Sequence, residues 1–168
     1  MKMRQTNKPR EVDLYESVIS AFPEHDCFAE VPFFGKHIDL VFTEPSMRTI
    51  CAVEVKLTNW RSALRQASLN QLFACYSYAA FPAKLAQRLA KFGAQVFLES
   101  GIGIISISDS PEIILPAAKS NYIYKRHRIR IKQALKGSRL QSRKSLEVVQ
   151  DAIATRKRSM EFLQARSS

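Results

Sequence analysis

Two opposite charges stand in the middle of an apolar segment of the sequence. Residues 49–60 read TICAVEVKLTNW, in which Glu54 and Lys56 interrupt an otherwise apolar run. Side chains alternate between the two faces of a strand, so both charges lie on one face. An ionised carboxylate in a dry interior needs a partner. Lys56 alone could be that partner, which would make the pair purely structural.

A third charge in the preceding apolar segment favours a chemical role. The segment HIDLVFTE places Asp39 among alternating apolar residues, and a hairpin through residues 43–48 would bring Asp39 to face Glu54. Two converging carboxylates repel each other unless a cation lies between them. Oxygen ligands without Cys or His select a hard cation, Mg²⁺ or Mn²⁺. Lys56 beside such an ion suits phosphate chemistry, because its charge can stabilise a phosphorus centre as negative charge develops there.

The spacing of these residues resembles the PD-(D/E)xK nuclease superfamily, which includes restriction endonucleases, Holliday-junction resolvases and RecB-type nucleases. Asp39 is followed fifteen residues later by Glu54-Val55-Lys56. The proline that usually precedes the aspartate is missing, since Ile38 stands there. The resemblance covers about residues 11–117.

The resemblance implies roles for particular residues. The metal would be held by Asp39, Glu54, the backbone carbonyl of Val55, and Glu16 on the first helix, while Lys56 and Gln66 would complete the catalytic set. Two of these assignments have rivals in the sequence. Glu11 or Asp13 could replace Glu16, and Gln71 could replace Gln66.

Hydrophobic periodicity predicts the elements that position these residues. Helices are predicted at 11–22, 60–73 and 83–97, and strands at 27–34, 37–44, 49–57, 75–82, 101–108 and 112–117. This α-β-β-β-α-β order predicts an α/β protein with a restriction-endonuclease-like mixed β-sheet core flanked by helices. We assign residues 1–118 to this nuclease-like domain and residues 119–168 to a basic, mainly helical C-terminal extension.

The charge of the chain is concentrated in that extension. The net charge is +11; residues 1–118 are balanced, and the whole excess lies in residues 119–168. Such asymmetry predicts a polyanion partner, DNA first, although a tail that only increases solubility would look the same. The candidate nucleic-acid-binding residues are Arg61, Arg65, Lys125, Arg126, Arg128, Arg130 and Lys132.

These observations predict a metal-dependent endonuclease that hydrolyses DNA phosphodiester bonds. The alternatives are a non-cleaving DNA-binding protein, a nuclease-fold subunit of a DNA-processing complex, or a nuclease acting on RNA. The sequence does not decide whether the protein forms a homodimer. We expect no membrane span, no secretory signal and hence a cytoplasmic protein. We expect no nucleotide cofactor either, because the segment GIGIIS lacks the third glycine and the helix start of a dinucleotide loop.

Overall fold

The computed structural model describes residues 9–137. A short 3₁₀ helix, Glu11–Leu14, leads into the first α-helix. The helices are α1 (Tyr15–Ser20), α2 (Trp60–Asn70), α3 (Ala83–Phe92), α4 (Ala94–Ser100) and α5 (Lys125–Gly137). The strands are β1 (Asp26–Phe33), β2 (Lys36–Thr43), β3 (Ile50–Val55), β4 (Tyr76–Pro82), β5 (Gly103–Ile107) and β6 (Glu112–Leu115). The elements that follow α1 run in the order β1-β2-β3-α2-β4-α3-α4-β5-β6-α5.

The six strands form one mixed sheet whose spatial order follows the chain, β1-β2-β3-β4-β5-β6. The pairs β1–β2, β2–β3 and β5–β6 are antiparallel, whereas β3–β4 and β4–β5 are parallel. The parallel pairs are joined through α2 and through α3–α4, as parallel strands require a crossover connection. The predicted α/β class, with a mixed sheet flanked by helices, is confirmed.

The two faces of the sheet are covered by different helices. On one face, Val53 and Val55 pack with Val12 and Tyr15 from the N-terminal helices. On the other face, Ala79 packs with residues of α2, α3 and α4, and the β1–β3 end packs with α5. Because strand residues alternate, Glu54 points away from the face that Val53 and Val55 fill. It therefore points toward α2.

Helix α5 is part of this packed core although it belongs to the predicted extension. Ile131 and Leu135 are fully buried, and they pack with Phe28, Val31 and Phe73. The basic helix therefore cannot be removed without exposing apolar surface of the sheet. The rest of the predicted extension, residues 138–168, lies outside the described residues.

Two predicted helices differ in detail from the structure. The predicted helix 83–97 is divided at Gly93 into α3 and α4, and α4 continues to Ser100. It ends where Gly101 adopts a left-handed φ of 70°, a conformation that favours glycine. The predicted helix 11–22 begins as a 3₁₀ helix, which changes the direction of its first side chains. Within residues 9–137, no helix combines the length and apolar character needed to span a membrane.

Candidate active site

The strand register brings the two central acids together. Leu40 pairs with Val53 in the antiparallel β2–β3 ladder, so Asp39 stands opposite Glu54 one step further along. Both side chains are buried, at 6% and 2% exposure. The Asp39 Oδ2 atom accepts a hydrogen bond of 2.8 Å from the backbone N–H of Val55. This bond fixes the Asp39 carboxylate at the end of β3.

Glu54 carries the most perturbed carboxyl group of the site. Burial raises its pKa to about 8, with a further contribution from the nearby charge of Asp39. Its Oε1 atom accepts a hydrogen bond of 2.7 Å from Nδ2 of Asn70, which acts in the opposite direction. Its Oε2 atom is buried and has no hydrogen-bond partner. With this pKa, Glu54 holds a proton at neutral pH when no metal is bound, and a divalent cation between Glu54 and Asp39 would take the place of that proton.

Lys56 lies at the end of β3 between two acidic side chains. Its Nζ atom donates to Oε2 of Glu11 at 3.0 Å and to the Val55 carbonyl at 3.2 Å. It also lies 3.6 Å from Oδ2 of Asp39. Burial lowers the pKa of Lys56, but the charges of Asp39 and Glu11 outweigh it and the net shift is upward. Lys56 is therefore a fixed positive charge rather than a proton acceptor.

The glutamate that reaches this site from the N-terminal segment is Glu11. Glu16, the residue preferred from the sequence, is exposed on α1. Glu11 lies on the 3₁₀ helix and forms an ion pair with Lys56 across 45 residues of sequence. Of the acidic residues considered on this segment, Glu11 is therefore the one whose carboxylate contacts Lys56, and Glu16 does not.

Helix α2 presents two amide side chains to Glu54. Gln66 lines a cavity together with Glu54 and Asn70, and its Oε1 atom is buried without a hydrogen-bond partner. Gln71 lies beyond the end of α2 and donates to the carbonyl of Ser100, so it serves the fold. Gln66 is the glutamine that neighbours the acids. The sequence reasoning missed Asn70, although it stands four residues after Gln66 and hence on the same helical face.

The donor set at this site fits a hard divalent cation. Asp39, Glu54 and the carbonyl of Val55 offer only oxygen atoms, which suit Mg²⁺ or Mn²⁺. The unpartnered Oε2 atom of Glu54 is an available ligand. Among residues 9–137, however, no three His, Cys, Asp or Glu side chains form a cluster. Two carboxylates and one backbone carbonyl are therefore the available protein ligands, and Glu16, exposed on α1, is not among them.

The predicted nucleic-acid-binding residues differ in whether their charged groups are free to bind phosphate. Arg61 lies over the ring of Trp60, with its guanidinium carbon 4.4 Å from the ring centroid, and Arg65 is exposed on the same helix. Arg128 is already occupied: it donates to the carbonyls of Phe73 and Arg48. We therefore remove Arg128 from the set available to phosphates. The other basic residues of the set are exposed or half-buried on α5: Lys125, Arg126, Arg130 and Lys132.

Comparisons with known proteins give a fold neighbour only. No protein-family model matches the chain, and no curated protein matches it. A solved structure of a protein of unknown function from Silicibacter pomeroyi is similar, with a TM-score of 0.57 and 16% sequence identity. The match covers 77% of this chain and 86% of that one. At this identity, the similarity concerns the fold alone.

Proposed function

We propose that this protein is a Mg²⁺- or Mn²⁺-dependent nuclease that hydrolyses phosphodiester bonds in DNA. The observation that carries the proposal is that two carboxyl groups and one ammonium group lie close together on the neighbouring inner strands β2 and β3. Asp39 and Glu54 stand opposite each other on β2 and β3, and the Lys56 ammonium lies 3.6 Å from Asp39. A purely structural ion pair would satisfy its carboxylates, whereas Glu54 keeps a buried oxygen without a partner.

The charge of each residue determines its role in the proposed reaction. Asp39, Glu54 and the Val55 carbonyl would hold the metal ion, which when bound acts as a Lewis acid and makes water a better nucleophile. Lys56 is protonated, so it stabilises negative charge that builds up on the phosphate oxygens during attack. Glu11 orients Lys56 through the 3.0 Å ion pair. Cleavage of this type leaves 5′-phosphate and 3′-hydroxyl ends, as the family resemblance implies.

Electrostatics supports a nucleic-acid substrate. Residues 119–137 include seven lysines and arginines and no acidic residue. Apart from Arg128, the five of these residues on α5 have exposed or half-buried side chains, and none of the five forms a hydrogen bond or ion pair with another described residue: Lys125, Arg126, Arg130, Lys132 and Lys136. Each phosphate that such a residue neutralises releases counterions, so binding to DNA should weaken steeply with salt.

The second candidate is a non-cleaving DNA-binding protein with a nuclease-like fold. It is favoured by the ion pair between Lys56 and Glu11, which already satisfies the amine, and by the lack of a third acidic ligand among residues 9–137. Metal titration separates the two candidates. A nuclease should bind Mn²⁺ in a manner that depends on Glu54, and a binding module should not.

The deciding experiment is cleavage by wild-type protein and by Glu54→Gln, with linear, supercoiled and branched DNA, with and without Mn²⁺. The matched control is Glu112→Gln, which makes the same change on exposed β6. Loss of a metal ligand should reduce cleavage by more than about 100-fold, while the control cleaves normally. Equal cleavage by Glu54→Gln and wild type, in preparations free of contaminating nuclease, would refute the proposal.

A further inference from the structure

A cavity of about 210 Å³ lies directly beside Glu54. Its lining is buried at Glu54, Asn70 and Ile38, and it is exposed at Phe34 and Leu69. The cavity therefore runs from the protein surface inward to Glu54. A molecule that entered it would come to rest next to Glu54, one of the proposed metal ligands.

The size and polarity of the cavity suit a nucleobase. An apolar cavity of about 150 Å³ is large enough for a benzene ring, so the present one can accommodate one flat heterocycle. Most of its walls are apolar or aromatic, including Phe33, Ile38 and Leu72. Three residues of the lining carry a buried polar atom without a hydrogen-bond partner: Oε2 of Glu54, Oε1 of Gln66 and Nδ1 of His127. A nucleobase offers both flat apolar faces and N–H donors at its edge.

Three residues of the lining have aromatic rings that contact one another, Phe33, Phe34 and His127, and Tyr124 contacts His127. We define the aromatic cluster as Phe33, Phe34, Tyr124 and His127. The Phe34 ring centroid lies 4.6 Å from that of Phe33 and 4.9 Å from that of His127, and Tyr124 lies 5.6 Å from His127. Phe34 is 51% exposed and Tyr124 is 62% exposed. Exposed rings grouped in this way gain little from folding, and they provide faces on which bases can stack.

The backbone at Phe34 supports a role for this ring outside the core. Phe34 lies in the β1–β2 turn with a φ of 50°. This left-handed conformation is uncommon for a bulky residue, and glycine or asparagine would adopt it more easily. Phe34 is therefore held beside the cavity, half exposed, at a cost in backbone conformational energy.

Positive charge accompanies the rings. The guanidinium carbon of Arg130 lies 4.3 Å from the Phe34 ring centroid, and Lys36 lines the cavity. Aromatic faces interleaved with cations form the surfaces on which proteins bind single-stranded nucleic acids, because the rings stack with bases while the cations follow the phosphates. Duplex DNA cannot use this cavity unless a base pair opens.

From these contacts we propose that the substrate is single-stranded or unpaired DNA. One unpaired base enters the cavity and stacks on the aromatic cluster, and Arg130 and Lys36 hold the flanking phosphates. The adjacent phosphodiester then lies next to Asp39 and Glu54. The cleavage part of this inference rests on the proposed function, whereas the base-binding part does not.

Binding without cleavage provides the test. The full-length protein is titrated, in EDTA, into a single-stranded oligonucleotide containing 2-aminopurine, and into the same sequence as a duplex and as RNA. Stacking on the rings should quench the fluorescence of the single strand. Phe34→Ala should weaken single-strand binding roughly tenfold and remove the quenching. The matched control is Phe92→Ala, since Phe92 is 79% exposed on α3 with Lys91 beside its ring and lies outside the cavity lining.

The possible outcomes separate this inference from the proposed function. Tighter binding to the single strand than to the duplex, weakened by Phe34→Ala and not by Phe92→Ala, supports the inference even if no cleavage is seen. Equal or tighter duplex binding overturns it, as does an unchanged affinity of a folded Phe34→Ala variant. Tighter binding to RNA overturns the assignment to DNA. Cleavage of duplex DNA that depends on Glu54 but not on Phe34 would leave the proposed function in place and refute this inference.

Discussion

The Nζ atom of Lys56 lies 3.0 Å from Oε2 of Glu11, a residue 45 positions earlier in the chain. This ion pair joins the 3₁₀ helix at the start of the described chain to the end of β3, next to the two central acids. It makes the position of Lys56 depend on the carboxylate of Glu11. Glu11 is therefore a positioning residue in the proposed nuclease.

Replacement of Glu11 should impair catalysis without impairing DNA binding. In Glu11→Gln the charged partner of Lys56 is lost while the shape of the side chain is kept, so the ammonium is less firmly placed. We expect kcat to fall by about 10- to 100-fold, the usual range for groups that orient a site from behind. The matched control is Glu16→Gln, because Glu16 is exposed on the neighbouring helix. A Glu16→Gln variant as impaired as Glu11→Gln would contradict this assignment.

The free energy of unfolding of the metal-free protein should fall as the pH rises from about 5 to 8. Burial and the charge of Asp39 raise the pKa of Glu54 from 4.5 to about 8, so the folded state binds a proton more tightly than the unfolded state does. This stabilisation is complete below pH 4.5 and is lost as the pH rises toward 8. One such group changes the free energy by up to about 1.4 kcal/mol per pH unit.

Urea denaturation in EDTA at several pH values measures this slope. The slope should be smaller in Glu54→Gln, because glutamine keeps the acceptor for Asn70 but does not titrate. Addition of Mn²⁺ should reverse the trend for the wild-type protein, since a metal ion favours the ionised carboxylate. Parallel profiles for wild type and Glu54→Gln would show that Glu54 titrates normally.

Asn70 should determine how readily Glu54 ionises. It is 6% exposed and donates the 2.7 Å hydrogen bond that favours the charged form of Glu54. In Asn70→Ala we expect the pKa of Glu54 to rise further and the free energy of unfolding to fall by about 1–3 kcal/mol. The pH at which Mn²⁺ binding reaches half of its maximum should move upward. A loss of stability with no change in that midpoint would mean that Asn70 only fills space.

The central acids could be predicted from the sequence because few physical rules decide their position. Period-two alternation assigns Asp39 and Glu54 to one face, and a short hairpin leaves little freedom of register. The choice between Glu11 and Glu16 was harder. Both fit an amphipathic helix over residues 11–22, but the first turn is a 3₁₀ helix, in which side chains follow a period of three rather than 3.6 residues.

Contacts between distant loops could not be predicted from the sequence. The place of Asn70 in the site could have been predicted from the sequence, since it follows Gln66 by one helical turn. Arg128 had none, because the carbonyls that it binds belong to residues 48 and 73 in separate loops. Its neighbours in KRHRIRIK look equally suited to phosphate binding, and only tertiary structure distinguishes them.

Arg128 and Arg126 should therefore respond differently to the same substitution. Arg128 donates 2.9 Å to the Phe73 carbonyl and also binds the carbonyl of Arg48, so it ties α5 to two loops. Arg128→Ala should lower the free energy of unfolding by about 2 kcal/mol, as expected when charge-assisted hydrogen bonds to backbone groups are lost. Arg126→Ala removes an exposed charge and should leave this free energy unchanged.

DNA binding should show the opposite pattern. Removal of one phosphate contact to a single strand reduces the slope of log Kd against log salt concentration by about 0.7. We expect this reduction in Arg126→Ala and not in Arg128→Ala, measured by fluorescence anisotropy at a temperature where both variants are folded. If Arg128→Ala flattens the slope while its urea midpoint stays at the wild-type value, then the guanidinium binds phosphate in the complex and the contacts to the two loops are dispensable.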